Sequence, residues 1–174
     1  MKKILLAAVL LAGVSMSGFA QKKSDNGGKF SIGLEAGIPV GDASTYNSFV
    51  IGGSLKYDMP IATATAITLS VGYSSFMGKT VAGIKYGSTG FVPVKVGVKY
   101  HFADAFYGEA QIGASFGTQS GSKTGFAYSP GIGYDFGGGL DLGVRYEGWS
   151  YSSNGTGTTS ATISQIAARL AYSF

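Results

Sequence analysis

Ten ionisable residues stand inside segments otherwise built of apolar and small side chains: Glu35, Lys56, Lys95, Lys99, Glu109, Asp135, Asp141, Arg145, Glu147 and Arg169. Two chemistries suit such a set. Crowded charges can displace one another's pKa values and supply an acid and a base to a reaction; Asp141, Arg145 and Glu147 with Lys99 and Glu109 would then be the reactive subset. Alternatively, the charges compensate one another as ion pairs in a space closed to water. Five cations face five anions, and that balance favours the second reading. His101 is the single histidine, so imidazole catalysis would have to use it. One histidine and no cysteine supply too few ligands for a zinc-type site. The glycines of GYDFGGGLDLG lack the lysine and following helix of a phosphate-binding loop, and FGGGL reads as a tight turn needing positive φ. Neither a catalytic residue, a metal nor a cofactor is expected.

The elements that hold these charges are eight segments alternating with period two, the pattern of strands with one apolar face. They are Lys29–Ile38, Phe49–Tyr57, Ala66–Phe76, Phe91–Phe102, Phe106–Gly117, Phe126–Phe136, Leu140–Trp149 and Ile163–Phe174. In FVPVKVGVKYHF, Val92, Val94, Val96, Val98, Tyr100 and Phe102 share one parity, whereas Pro93, Lys95, Gly97, Lys99 and His101 share the other. All ten charges lie on the polar parity of their segments. Pro93 and Pro130 sit inside strands, where each removes a ladder donor, and predict local bulges. YDMPI, HFADAF and FGGGL are short connections. They alternate with PVGDASTYNS, MGKTVAGIKYGSTG, TQSGSKTG and YSSNGTGTTS, which are longer and polar. Short and long connections in turn around an even number of strands describe an up-and-down meander with one blunt rim and one loop-bearing rim.

The first twenty residues stand apart. Lys2 and Lys3 precede the apolar run Ile4–Val14, and Gly18-Phe19-Ala20 ends in a small-x-Ala site. This is the pattern of a cleaved secretory signal peptide over 1–20. A flexible polar lead is expected over 21–28 and the barrel over 29–174. Removing Lys2 and Lys3 lowers the formal net charge from +4 to +2, too weak a basic balance to suggest nucleic acid as a partner. Glycine is abundant, 29 of 174 residues, beside 11 Tyr and 11 Phe. No collagen-like period accompanies it, and the combination suits strands packed closely in a barrel.

Two closed barrels are compatible with such alternation, and they are inverses. A soluble, lipocalin-like barrel turns its apolar parity inward around a hydrophobic ligand. A transmembrane barrel turns it outward to lipid and fills its lumen with the polar parity. Charges confined to the polar parity favour the second, since a lysine facing lipid at mid-membrane costs roughly 2–4 kcal/mol. Aromatic residues agree. Phe30, Tyr57, Tyr100, Phe102, Phe106, Tyr134 and Phe136 gather near the short-turn rim, and Phe49, Tyr73, Phe91, Phe116, Phe126 and Tyr128 near the loop rim. Two rings around an aliphatic waist predict interfacial girdles. The fold class expected is therefore all-β, an eight-stranded antiparallel up-and-down transmembrane β-barrel, with Lys95 and Lys99 pointing inward to acids on neighbouring strands.

FVPVKVGVKYHF, GFAYSPGIGYDF and LDLGVRYEGWS are similar to segments of the small outer-membrane β-barrel domain family, of OmpA/OmpX-like architecture and Bacteroides type. Leu170, Tyr172 and the final Phe174 resemble the C-terminal strand by which such proteins are recognised for barrel assembly. The resemblance covers Lys29–Phe174. It implies Sec-dependent export to the outer membrane of a Gram-negative bacterium, periplasmic termini, contact with outer-membrane lipid, and the barrel-assembly machinery as a transient partner. Lipid-modifying enzymes among eight-stranded barrels resemble a Ser/His/acid arrangement at the outer rim, and His101 lies at the opposite rim. The expected role is structural or interactive, with a plugged, charge-lined lumen and four surface loops offering Tyr46, Lys79, Lys85, Tyr86, Lys123, Tyr151 and Asn154. A narrow channel for ions or small solutes and a soluble periplasmic binder are the alternatives.

Overall fold

A computed structural model describes residues 27–119, 121–152 and 160–174. The expected signal peptide, most of the lead and Asn154 lie outside the described residues. Strands β1 (Lys29–Val40), β2 (Asn47–Ala62), β3 (Thr65–Gly78), β6 (Thr89–His101), β7 (Phe106–Gly117), β8 (Thr124–Gly137), β9 (Leu140–Ser152) and β10 (Ser160–Ser173) form one closed antiparallel barrel. Each pairs with its sequence neighbour around the wall, and β1 pairs with β10 to close it, from Ser31 opposite Ser173 to Val40 opposite Ser164. Closure leaves no unpaired sheet edge, the condition for strands to cross a bilayer.

The polarity is inside out relative to a soluble barrel. Leu34 is 76% exposed and Ile132 66%, and Ile32, Val96, Val98, Ile112 and Leu170 accompany them on the outer face. Ser31, Glu35, Lys56, Thr68, Ser70, Lys95, Gln111, Ser129 and Arg169 are buried. An apolar surface this continuous is the mark of a lipid-facing wall. The lipocalin-like alternative needs the opposite parity inside and does not fit.

Several boundaries differ from the expectation. YDMPI belongs to β2, and the turn falls at residues 63–64. Asp58 points into the lumen, which keeps the chain extended there, and the register shifts between Pro60 and Ala62. The connection after β1 holds a one-turn helix, α1 (Ala43–Tyr46), and the connection after β3 folds into a small hairpin, β4 (Thr80–Val81) with β5 (Ile84–Lys85). Pro93 and Pro130 produce no bulge. Ladder pairs are missing beside them, and the register resumes unchanged on either side. A proline without N–H interrupts one rung, but the fixed pattern of inward and outward residues holds the strand in phase. The FGGGL turn carries Gly137, Gly138 and Gly139 at φ 76°, 61° and 92°, a run that side chains with a Cβ disfavour.

Leu34→Arg tests the polarity directly. Its lipid-facing position near the middle of β1 predicts a loss of about 2–4 kcal/mol in urea unfolding from phosphatidylcholine vesicles; an unchanged midpoint would contradict lipid contact there.

Candidate functional site

The lumen holds one continuous electrostatic structure. Lys95 pairs with Glu147, which is completely buried. Glu147 lies 3.7 Å from Arg145, and Arg145 lies 2.7 Å from Glu35. Glu35 lies 3.8 Å from Arg169, which lies 3.8 Å from Asp141. From Asp141 the contacts run to Lys99 at 3.7 Å, to Asp58 at 3.4 Å, to Lys56 at 3.7 Å and finally to Glu109 at 3.1 Å. Nine contacts thus join ten groups into a single unbranched chain of alternating charge. Every interior group has two opposite charges beside it, while Lys95 and Glu109 terminate the chain with one each. Coulombic attraction at these separations offsets the large desolvation penalty of buried ions only when compensation is this complete.

Register alone does not produce these partners. Lys99 and Glu109 are directly opposed on β6 and β7, yet Lys99 reaches Asp58 on β2 and Asp141 on β9. Five of the nine contacts pass over at least one intervening strand, such as Lys95 to Glu147 and Lys56 to Glu109. The expectation of partners on neighbouring strands is therefore corrected. In an eight-stranded barrel the lumen is narrow enough for side chains from opposite walls to meet. Small residues make room for the large side chains of the lumen. A Cβ at Gly33 would stand 2.7 Å from Arg169 Nε, and one at Gly133 would run into the Tyr107 ring.

Nine of the ten charges singled out from sequence belong to this chain. Asp135 does not: at the end of β8 its Oδ1 accepts a hydrogen bond from Gly137 N–H at 2.9 Å, bracing the turn. Asp58 takes its place. From sequence the YDMPI segment reads as a turn, although the β2 parity continued past Tyr57 places Asp58 inside. Neutral side chains complete the lining. Ser54 donates to Glu35 at 2.5 Å, Gln165 donates to Glu147 at 3.0 Å, and Gln111 donates to Glu109 and Thr68 at 3.0 and 3.1 Å.

Aromatic groups cover the chain at both ends. Toward the long connections, Phe76, Phe91 and Trp149 pack with ring centroids 4.8 to 5.6 Å apart, against Val50, Ala127 and Ala43. Trp149 is 1% exposed and Phe91 5%. Phe91 was expected in the outer girdle; it shares the inward parity of Lys95, and the structure turns it into the lumen. Tyr151, expected as a loop contact, packs against the same cluster, with its hydroxyl donating to Ser115 at 3.3 Å. Toward the short turns, buried Tyr107 lies with its ring centroid 3.9 Å from Lys99 Nζ, and the His101 ring is 5.6 Å away.

On the outer wall at the short-turn rim, aromatic rings continue from Phe102 through Phe106 and Tyr134 to Phe136, with successive centroids 4.7 to 6.3 Å apart. Tyr57 and Tyr100 are exposed, and Phe30 is half-buried. Leu170, Tyr172 and Phe174 also face outward, and Phe174 N–H donates to Phe30 O at 2.8 Å. Among the loop residues, the Tyr46 and Tyr86 rings are 4.8 Å apart, and Lys79 Nζ donates to Ser44 O at 2.5 Å. Lys85 lies in β5, and Lys123 is exposed before β8.

The chain geometry predicts unequal mutational costs. Glu147→Gln strands Lys95 and should lose roughly 3–5 kcal/mol in guanidinium unfolding of the micelle-bound barrel. Asp141→Asn leaves Lys99 with Asp58 and Arg169 with Glu35, so it should cost less. Lys95→Met combined with Glu147→Leu should recover most of the first loss, and equal costs for the two single variants would contradict the linear arrangement.

A family model described as outer membrane protein beta-barrel domain matches residues 6–174. No curated protein matches the chain. Among solved structures, Ail, the attachment invasion locus protein of Yersinia pestis, aligns with a TM-score of 0.60 at 17% identity, covering 84% of this chain and 97% of that one. The outer membrane enzyme PagL aligns with a TM-score of 0.63 at 16% identity, covering 82% and 98%. The N-terminal β-barrel domain of Pseudomonas aeruginosa OprF aligns with a TM-score of 0.52 at 14% identity, covering 85% and 100%. At such identities the likeness is one of fold, and the fold alone is shared with an enzyme. The closed barrel, its outward apolar face and a family match over nearly the whole sequence agree: the chain belongs to the outer membrane protein β-barrel domain family, whose place is the outer membrane of Gram-negative bacteria.

Proposed function

We propose that this protein is a plugged outer-membrane barrel with a structural or interaction role, carried by its surface loops rather than by transport or catalysis. One observation supports this most: the larger lumenal cavity has a volume of about 20 Å³. A space of that size holds about one water molecule. Cross-lumen ion pairs surround it, and the Phe76–Phe91–Trp149 cluster lies between the charges and the long connections. The reading includes Sec-dependent export, both termini in the periplasm and the long connections outside. Outer-membrane lipid surrounds the wall, and the assembly machinery engages the C-terminal strand through Leu170, Tyr172 and Phe174.

The loops suit presentation. Lys79 N–H donates to Tyr46 O at 3.0 Å, and Tyr86 N–H donates to Lys79 O at 3.1 Å. These bonds tie α1 to the β4–β5 hairpin, so Tyr46 and the exposed Ile84 are held in a fixed relation. Ail, named for attachment and invasion, is a precedent for a surface role on this fold. The enzyme reading finds less support. His101 is the single histidine, and it stands beside Tyr107 at the short-turn rim, away from the loops.

Single-channel recording in a planar bilayer tests the proposal. The refolded mature protein should give no conductance steps above baseline. Discrete steps would establish the narrow-channel alternative, and their enlargement in Arg145→Ala would locate the restriction in the ion chain.

A further inference from the structure

Among the described residues, two small cavities border the ion chain, and they differ in what they can hold. The larger, about 20 Å³, is bordered by Ser129, Arg145, Glu109, Gln111, Lys56 and Tyr107. The smaller, about 10 Å³, is bordered by Glu35, Ser54, Ser70, Pro93 and Lys95, and shares Lys56, Arg145 and Arg169 with the first. Two polar atoms on the larger cavity have no hydrogen-bond partner among the described residues: Ser129 Oγ and Arg145 Nε. Ser129 is 2% exposed, and its neighbours cannot help it. On one side Gln111 is committed to Ser70, Thr68 and Glu109. On the other, the β8–β9 ladder has no pairs at Ser129 and Pro130, and Glu147 is held by Lys95 and Gln165. Arg145 sends its Nη2 to Glu35, which leaves Nε–H to find another acceptor.

We infer that the larger cavity is a binding site for a single structural water, held by Ser129, Arg145 and Glu109. The donor and acceptor pattern selects such a guest. Water accepts from Arg145 Nε–H and exchanges a hydrogen bond with Ser129 Oγ. It donates to the Glu109 carboxylate, whose oxygens keep lone pairs free beyond their bonds to Lys56 and Gln111. That makes three partners, the usual number for a buried water. A halide would satisfy the two donors but would meet Glu109 and unbalance a chain in which five cations already match five anions. Size separates the two cavities: about 10–15 Å³ is the least that admits a water. The larger exceeds it, while the smaller is at or below the limit, and its hydroxyl Ser54 already donates to Glu35. One isolated water gives these side chains a partner without opening a file through the lumen.

The site is tested by a high-resolution crystal structure of the refolded barrel, with a parallel crystal soaked in sodium bromide. One density peak within about 3.2 Å of both Ser129 Oγ and Arg145 Nε, no anomalous bromide signal there, and a dry second cavity are expected. In Ser129→Ala the peak should be lost or fall in occupancy. A dry first cavity, a bromide peak in it, water filling both cavities, or an unchanged peak in Ser129→Ala would each overturn the assignment. Should Ser129→Ala fail to refold, the wild-type crystals alone still decide it. Conductance steps from a barrel with a single ordered water would count against the plugged reading but not against the site.

Discussion

An ion inside an eight-stranded barrel cannot keep its full hydration shell, and the rest of this structure is arranged around that constraint. The lumen is only wide enough for side chains to meet, so each charge placed there needs opposite charges within reach. The protein meets this with an alternating file of ten ions in which only the two end groups have a single partner. At five of its nine contacts the file passes over at least one strand, and it therefore ties strands that share no backbone ladder. Lys56 joins β2 to β7, and Lys95 joins β6 to β9. Backbone hydrogen bonds close the cylinder, while the ion file braces it across its diameter.

Space for that file comes from glycine, alanine and serine on the same parity. Lys95 lies between Ser70 and Gly113 in the ladders, and Arg145 between Gly131 and Ala167. Long charged side chains need low walls beside them, which links the high glycine content to the charge pattern. The outer face obeys the opposite demand. With lipid outside and ions inside, a one-residue slip of any strand would send charge into hydrocarbon and leucine into the ion file. Registers therefore hold through Pro93 and Pro130, where the ladder itself is interrupted.

Parity was what the sequence made legible. Alternation of Val96 and Val98 with Lys95, Gly97 and Lys99 contains the strand, its two faces and, once lipid is the outer solvent, their direction. Turn positions were less accessible. Asp58 and Pro60 look like turn residues, and the reach of Asp58 across the lumen to Lys99, distant in sequence, is what shows that β2 continues past Tyr57. The same gap exchanged Asp58 for Asp135 in the charge set. Partner identity was not legible either, because Lys56 and Glu109 lie 53 residues apart and meet only across the lumen. Phe91 and Trp149 carried a usable signal, since both fall on the polar parity. Large aromatics there are anomalous for a hydrated pore and natural for a covering layer.

That layer separates the chemistry of the lumen from that of the surface. Above it stand the tied loops, with Tyr46 and Tyr86 in contact and Lys79 fastened to Ser44. Below it lies the charge-balanced file, closed again at the other end by Tyr107 over Lys99. Change at the loop rim need not disturb the file, because Phe76, Phe91 and Trp149 come between them. Change within the file is felt by both partners of the altered ion, since every interior ion serves two neighbours. A barrel divided in this way can vary its exterior while its interior stays fixed by charge compensation.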